Sequence, residues 1–172
     1  VLDLPMREAD VAIRMKEPSQ ADLIRKRLMN IKMRLYATQE YLAETGMPQS
    51  MADFSQHRLI CQHAGTAQVA AGANLVQDLM SHDIPSKLTV NNYFGVLQAV
   101  LNHLGIGVLP DYITVDFPHL VRVLPETESG EVPVFLAYPE ELRHSKRVSA
   151  FRDFITEEIL AFRKEHQAQN LL

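Results

Sequence analysis

The sequence has few of the features that secreted, membrane-bound and disulfide-stabilised proteins require. Its 172 residues include a single cysteine, Cys61, which has no partner for an internal disulfide bond. The sequence therefore gives no indication that the protein needs an oxidising compartment. No apolar run approaches the roughly 20 residues that cross a bilayer, and no secretory signal is recognisable. We expect a cytoplasmic protein without membrane contacts.

An excess of positive charge is also missing. The formal net charge is −4 at pH 7, whereas proteins that hold nucleic acid need a concentrated basic surface. We therefore do not expect this chain to bind DNA or RNA by itself. With 47% hydrophobic and 22% charged residues, the composition is typical of a globular protein with one substantial core or two small ones.

Short motifs of catalysis and metal binding are absent as well. The sequence contains no G-x-S-x-G, no H-E-x-x-H and no G-x-x-x-x-G-K-[ST] pattern. The one G-x-G, at residues 105–107, follows a predicted helix instead of preceding one, which is the wrong context for a phosphate loop. His57 and His63 lack cysteine or carboxylate neighbours in an arrangement typical of a metal site. We expect no catalytic activity, no metal and no cofactor.

The most informative segment spans residues 90–111, V-N-N-Y-F-G-V-L-Q-A-V-L-N-H-L-G-I-G-V-L-P-D. Asn91 or Asn92 is a suitable helix N-cap, and Gly105 is expected to end the helix in a left-handed conformation. A short buried strand then leads to a proline turn. The apolar residues at helical spacing are Val96, Leu97, Val100, Leu101 and Leu104.

The rest of the chain reads as alternating short strands and helices. Thr38 is a predicted N-cap for a helix that stops at Gly46, and Ser50 with Asp53 forms a predicted capping box. Cys61 lies in a predicted buried strand and is interpreted as a core residue. Residues 125–133 are predicted to form a surface turn. Further strands are predicted at 10–14, 23–28, 31–37, 58–62, 120–124 and 132–138, and further helices at 74–81 and 145–166.

Several of these segments resemble one family, the effector-binding domains of LysR-type transcriptional regulators. The run L-N-H-L-G-I-G-V-L-P resembles the family's helix-to-strand turn, and E-A-D-V-A-I-R at residues 8–14 resembles its acidic residue followed by an apolar strand. L-I-R-K-R-L and R-L-Y-A-T-Q-E-Y-L follow, and residues 132–139 with the helix S-A-F-R-D-F-I match the family's closing strand and helix. The resemblance covers nearly the whole chain in the family's order.

The resemblance implies an α/β fold of the type II periplasmic-binding-protein kind, in which two Rossmann-like subdomains are joined by two crossings. We expect residues 1–32 and 139–172 to form the first subdomain, which would be incomplete, and residues 33–138 to form the second. The family holds a small-molecule effector between its subdomains and assembles as a homodimer or homotetramer. DNA would be bound only through a winged helix-turn-helix domain that this sequence lacks.

Seven residues are candidates for contact with the effector that the resemblance implies, which is either an anion or an uncharged metabolite. Five of them have a structural alternative. Asn91 and Asn92 would serve equally as helix caps, and Tyr93 and Phe94 as core residues. Arg14 would pair with a carboxylate ligand or with a surface acid. Thr66 and Gln68 follow a predicted strand where the family often places polar groups, although the local sequence departs from the family pattern.

Two other function classes stay open from the residues alone. A solute-binding protein of a transporter would share the fold, and it would carry a secretion signal upstream of Val1. An α/β enzyme with an unrecognised site would turn over a substrate. No motif in the sequence favours the enzyme.

Overall fold

The computed structural model describes residues 9–15, 22–62, 75, 79, 84 and 86–169, and it divides into two compact units. Within the described residues, the first unit draws on Val1–Ile31 and Val132–Leu172, and the second on Lys32–Glu131. The chain therefore leaves the first unit after Ile31 and returns to it at Val132. In the described part of the chain, no helix has both the length and the apolar character that a membrane crossing requires.

The first unit is built on three described antiparallel strands in the order β1-β8-β2. The central strand pairs with β2 along its whole length, from Ile31 opposite Val132 to Leu23 opposite Pro139. Every residue of β8 except Pro133 and Phe135 is buried, as expected for the central strand of the three. The strands are β1 (Ala12–Arg14), β2 (Leu23–Ile31) and β8 (Val132–Pro139).

A long C-terminal helix, Lys146–Gln169, covers this sheet. The helix contributes a stripe, Val148, Ile155 and Ile159, to an apolar cluster. The sheet contributes Leu28, Leu136 and Tyr138. The stripe repeats at intervals of three and four residues because those positions share one face of a helix. The predicted helix at 145–166 is therefore confirmed, with its end three residues later.

The second unit contains five described strands in the order β5-β4-β6-β3-β7. Strands β4, β5 and β6 are parallel, whereas β3 runs antiparallel to both β6 and β7. Since Met33 lies opposite Pro110, the start of β3 meets the end of β6. The strands are β3 (Met33–Ala37), β4 (Arg58–Gln62), β5 (Ser86–Val90), β6 (Ile106–Pro110) and β7 (Val121–Glu128).

Three α-helices of the described second unit follow its strands. They are α1 (Gln39–Thr45), α2 (Tyr93–Leu101) and α3 (Ile113–Asp116), which makes the C-terminal helix Lys146–Gln169 α4. Thr38 caps α1 by accepting the Tyr41 N–H, and Gly46 ends it at φ 87°. Ser50 and Asp53 form the predicted capping box before a 3-10 helix, Met51–Gln56. These local predictions are confirmed.

The core of the second unit lies beneath α2. Val96 and Val100 are fully buried against Tyr36 and Ile60 of the sheet. A Cβ on Gly107 would lie 2.3 Å from the Val100 side chain, so the glycine lets the helix rest directly on β6. Gly107, the second glycine of the G-x-G run, is therefore required for close packing.

The predicted end of α2 needs correction. The helix stops at Leu101, and Leu104 is 40% exposed instead of joining the buried face. The left-handed residue is His103, at φ 60°, and Gly105 is not left-handed. Gly105 is required for a different reason, because a Cβ there would lie 2.4 Å from the Arg58 carbonyl oxygen.

Two further predictions differ from the structure. Residues 125–128, predicted as part of a surface turn, continue strand β7, and Ser129 is buried. The Ser129 hydroxyl accepts the Met33 N–H at 2.8 Å, and the Ser129 N–H donates to the Met33 carbonyl at 2.9 Å. The predicted boundary between residues 138 and 139 falls at the end of β8, whereas the units divide at its start, because the whole strand pairs with β2. The predicted helix at 74–81 lies largely outside the described residues.

Candidate functional site

The carboxyl ends of the three parallel strands of the second unit meet at one edge of its sheet. Gln62 ends β4, Val90 ends β5 and Pro110 ends β6, and the first residues of β3 lie beside Pro110. We call this edge the carboxyl edge. In open α/β sheets, ligands bind outside the carboxyl ends of the strands. The carboxyl edge is therefore where a small-molecule site is expected.

The start of helix α2 brings three amide side chains together at this edge. The Asn92 Oδ1 accepts the Gly95 N–H at 2.8 Å, and the Asn92 Nδ2 donates to the Asn91 Oδ1 at 2.8 Å. The buried Gln62 donates from Nε2 to the Asn91 carbonyl oxygen at 3.2 Å. Asn92 thus caps the N-terminus of the helix. Gln62, on strand β4, holds the backbone at Asn91, just before the helix begins. An N-terminus with N–H groups near a ligand favours negative charge.

Two tyrosines flank the same helix start. Burial raises the pKa of the Tyr93 phenol, and the neighbouring Tyr112 adds to the rise. Burial also raises the pKa of Tyr112, with a further contribution from Asp111. Both hydroxyls therefore stay protonated at neutral pH and can donate a hydrogen bond. A ring with a polar tip suits a pocket that holds an organic molecule.

A group of cations lies around one carboxylate where β3 begins. Arg34 Nε and Arg122 Nη2 each lie 3.0 Å from Glu128 Oε2, and Lys32 Nζ donates to Glu128 Oε1. The hydrogen bond from Lys32 lowers the pKa of Glu128 most, and Arg34 adds to the effect. Three cationic side chains thus share one acid, and Asp111, which follows Pro110, is a second acid at this end of the sheet. The surplus of positive charge at this end of the sheet favours an anionic ligand.

The structure groups some of the predicted site residues and separates others. Asn91, Asn92 and Tyr93 meet at the carboxyl edge, and Phe94 is 70% exposed beside them, not packed in the core. Arg14 ends β1 in the first unit, opposite Phe135. Thr66 and Gln68 lie outside the described residues.

Several residues of the carboxyl edge were missed by the sequence reasoning. Gln62 is a polar residue at the end of a buried strand, and Arg34 is a charged residue inside one, so both carried a local signal. Tyr112 follows the proline turn and carried a weaker signal. No local signal marked Arg122 and Glu128, because they reach Arg34 only through strand pairing.

Two other reactive side chains of the second unit are buried. Cys61 is buried, and burial raises the pKa of its thiol, which makes it a poor redox nucleophile. His57 is buried beside Tyr41 and Phe54 at the opposite end of the sheet. Within the part of the chain that the structure describes, no three His, Cys, Asp or Glu side chains are placed to hold a metal ion.

Comparison with known proteins assigns the family. The family model described as the LysR substrate binding domain matches residues 1–160. The chain belongs to the LysR substrate-binding domain family. The family is one of transcriptional regulators. The predicted resemblance to LysR-type regulators is therefore confirmed.

Curated relatives are regulators of this type. An uncharacterized HTH-type transcriptional regulator of Haemophilus influenzae is 25% identical over 146 residues, which are 83% of this chain and 50% of that protein. The HTH-type transcriptional regulator CrgA of Neisseria meningitidis serogroup C is 25% identical over 162 residues, covering 92% of this chain and 54% of CrgA. The LysR-type chain thus spans about half the length of the curated relatives it matches.

Solved structures support the fold. The regulatory domain of CrgA from Neisseria meningitidis matches with a TM-score of 0.72 and 24% identity, covering 91% of this chain and 78% of that one. The effector domain of AmpR from Pseudomonas aeruginosa matches with a TM-score of 0.67 and 16% identity, covering 98% and 79%. The predicted α/β, periplasmic-binding-protein-like fold class is confirmed. The transporter alternative is not supported by these relatives.

Proposed function

We propose that this LysR-type domain binds its small-molecule effector at the carboxyl edge of the second unit, and that binding alters DNA recognition by another domain of the full regulator. The observation that carries the proposal is the meeting of Gln62, Asn91, Asn92, Tyr93 and Tyr112 at one sheet edge. Amide groups, phenols and a helix N-terminus are the kinds of group that orient a small ligand. No side chain among them needs a catalytic role.

The charge of the edge supports an anionic effector. Lys32, Arg34 and Arg122 surround the single carboxylate of Glu128, and α2 points its N-terminus at the same edge. A carboxylate or phosphate on the effector would be attracted by both features. Arg14 and the predicted residues Thr66 and Gln68 remain candidates for further contacts.

The proposed mechanism is a shift between two conformations of the full protein. An effector that binds one conformation more tightly than another stabilises that conformation by the difference in binding free energy. A domain that senses the effector then biases the DNA-binding domain to which it is linked. We further propose a cytoplasmic homodimer or homotetramer without enzymatic activity, as family membership implies. Light scattering of the full protein tests the assembly.

The test is a binding screen with matched tyrosine variants. Small carboxylates, amino acids, sugars and aromatic acids are screened by thermal shift, since a ligand of the folded state raises the melting temperature. Hits are then titrated by calorimetry against Tyr93→Phe and Tyr112→Phe, which keep the ring and lose the hydroxyl. Tyr41→Phe, the same change at the opposite end of the sheet, is the control.

We expect the effector to bind Tyr93→Phe or Tyr112→Phe about tenfold more weakly, the effect of one lost hydrogen bond to a charged ligand. Binding to Tyr41→Phe should be unchanged. If the effector binds all three variants as tightly as it binds the parent protein, its site lies elsewhere. If only uncharged compounds bind and no anion in the screen does, the proposed preference for an anionic effector is contradicted.

A further inference from the structure

A second concave site is formed by residues of the first unit. It is a cavity of about 700 Å³ between strands β2 and β8 and the start of helix α4. Cavities of roughly 300–1,000 Å³ are typical of small-molecule sites. The effector proposal makes no use of this cavity, and its lining is different in character.

Two paired strand residues form the floor of the cavity, while most of the cavity's accessible surface is polar. Ile24 on β2 and Tyr138 on β8 are directly paired across the sheet, and Tyr138 is only 5% exposed. Both side chains belong to the packing of the first unit's core. Such a floor offers contact area to the apolar or aromatic body of a ligand.

The rim of the cavity is rich in hydrogen-bond donors. Arg143 and His144 line one part of it, and Ser149 and Arg152 line the helix side. Arg152 donates from Nε to Asp153 at 2.9 Å and also hydrogen-bonds Tyr138. A guanidinium carries five N–H donors, so these contacts leave donors for a ligand.

Each arginine of the lining has an exposed acid as its partner, Glu140 for Arg143 at 3.7 Å and Asp153 for Arg152 at 2.9 Å. Exposed pairs of this kind are weak, so a ligand anion can compete for the guanidinium groups. Among the described residues of the lining, Glu140 is the one carboxylate against two arginines. Lys26 adds a further cation next to the rim, since its Nζ donates to Thr156 Oγ1, one turn beyond Arg152.

We propose that the cavity of the first unit binds a small organic anion, a carboxylate or phosphate that carries an apolar or aromatic body. The anionic group pairs with the guanidinium groups of Arg143 and Arg152, and the body rests on Ile24 and Tyr138. The site gives the first unit a ligand of its own, independent of the effector bound at the carboxyl edge. Its occupancy can therefore add a second chemical input to the same domain.

The test uses three probes that share a phenyl ring and differ in charge. Phenylacetate, phenyl phosphate and the neutral phenylacetamide are titrated into the protein by calorimetry, and amide chemical shifts at Ser149 and Arg152 locate the site. We expect one or both anions to bind and to shift these amides. Phenylacetamide should bind at least about tenfold more weakly, because it lacks the charge that pairs with arginine. The stronger anion distinguishes a carboxylate site from a phosphate site.

Variants of the arginines separate binding from folding. Arg143→Gln and Arg152→Gln should each weaken anion binding about tenfold. Arg143 is 55% exposed, so its replacement leaves the fold intact, and Arg143→Lys should recover part of the affinity. The control is Arg147→Gln, the same change at an 82% exposed position outside the lining. Tyr112→Phe, at the effector edge, should also leave probe binding unchanged.

The proposal is overturned by any of three results. The first is that neither anion binds at millimolar concentration, and the second is that phenylacetamide binds as tightly as the anions. The third is that Arg143→Gln and Arg147→Gln have equal effects. Failure of the effector proposal would show instead in the Tyr93 and Tyr112 variants, so the two proposals fail separately.

Discussion

Gly105 lies so close to Arg58 that a Cβ at residue 105 would stand 2.4 Å from the Arg58 carbonyl oxygen. The contact joins the turn after α2 to the start of β4, and its obstacle is backbone, which cannot rotate away as a side chain can. A side chain at this position therefore forces the two segments apart. The glycine is required by the packing of distant chain segments.

Gly105→Ala should lower the free energy of unfolding by about 1–3 kcal/mol, the usual cost of overpacking a buried site. Gly130→Ala is the control, because a Cβ at residue 130 meets nothing within 4 Å. Urea denaturation of both variants measures the difference. Equal stability of the two would mean that the Arg58 backbone moves without cost.

Glu128→Gln should destabilise the second unit by about 1–2 kcal/mol, because Lys32, Arg34 and Arg122 lose the carboxylate that they share. The effect should depend on pH. The pKa of Glu128 is lowered below the 4.5 of an unperturbed glutamate, so its stabilisation is present above pH 4.5 and is lost as pH falls through the lowered pKa.

Denaturation of the Glu128→Gln variant between pH 3 and pH 7 tests the sign. The gap between the variant and the parent protein should be full near neutral pH and should close in acid. Glu126→Gln, at an exposed position two residues earlier on the same strand, is the control and should change little. A gap that persists unchanged at low pH would show that Glu128 stabilises by packing.

His57 should make stability fall in mild acid. Burial lowers the pKa of its imidazole below the unperturbed 6.5, so the unfolded state takes up a proton more readily than the folded state. Stability should therefore be lost as pH falls below 6.5, until the lowered pKa of the folded state is passed. His57→Gln should flatten this part of the pH profile, whereas the exposed His119→Gln should retain it. Thermal melting from pH 5 to pH 8 distinguishes them.

Asn92→Ala should cost about 1 kcal/mol, since the Gly95 N–H loses its capping acceptor. Asn91→Ala should cost less, because the Asn91 side chain contacts Asn92 instead of capping the helix itself. Chemical denaturation of the pair measures the cap. If Asn91→Ala lowers the free energy of unfolding more than Asn92→Ala does, capping is the wrong explanation for the role of Asn92.

Much of the local structure was predictable from residue types. The caps at Thr38, Ser50 and Asn92 were expected where they are found, and so was the stop at Gly46. Each depends on a hydrogen bond or a backbone conformation within a few residues. The ordered motifs were also sufficient for the family, because they occur along nearly the whole chain.

The candidate site was only partly predictable. Asn91, Asn92 and Tyr93 were expected to act together because they are neighbours in sequence. Tyr112 joins them only because β6 ends beside β4, which in turn pairs with β5. The contribution of Arg14, Thr66 and Gln68 stays a prediction.

The sequence by itself determined the caps, most of the helices and strands and the family to which the chain belongs, since these depend on short-range patterns. Only the tertiary structure decided which distant groups meet. Arg34 and Glu128 are 94 residues apart, and their ion pair follows from the pairing of β3 with β7. Gly105 was expected to serve a left-handed turn, and the packing of Arg58 gave it another role. Long-range contacts are set by how whole faces of strands and helices pack, which no local pattern records.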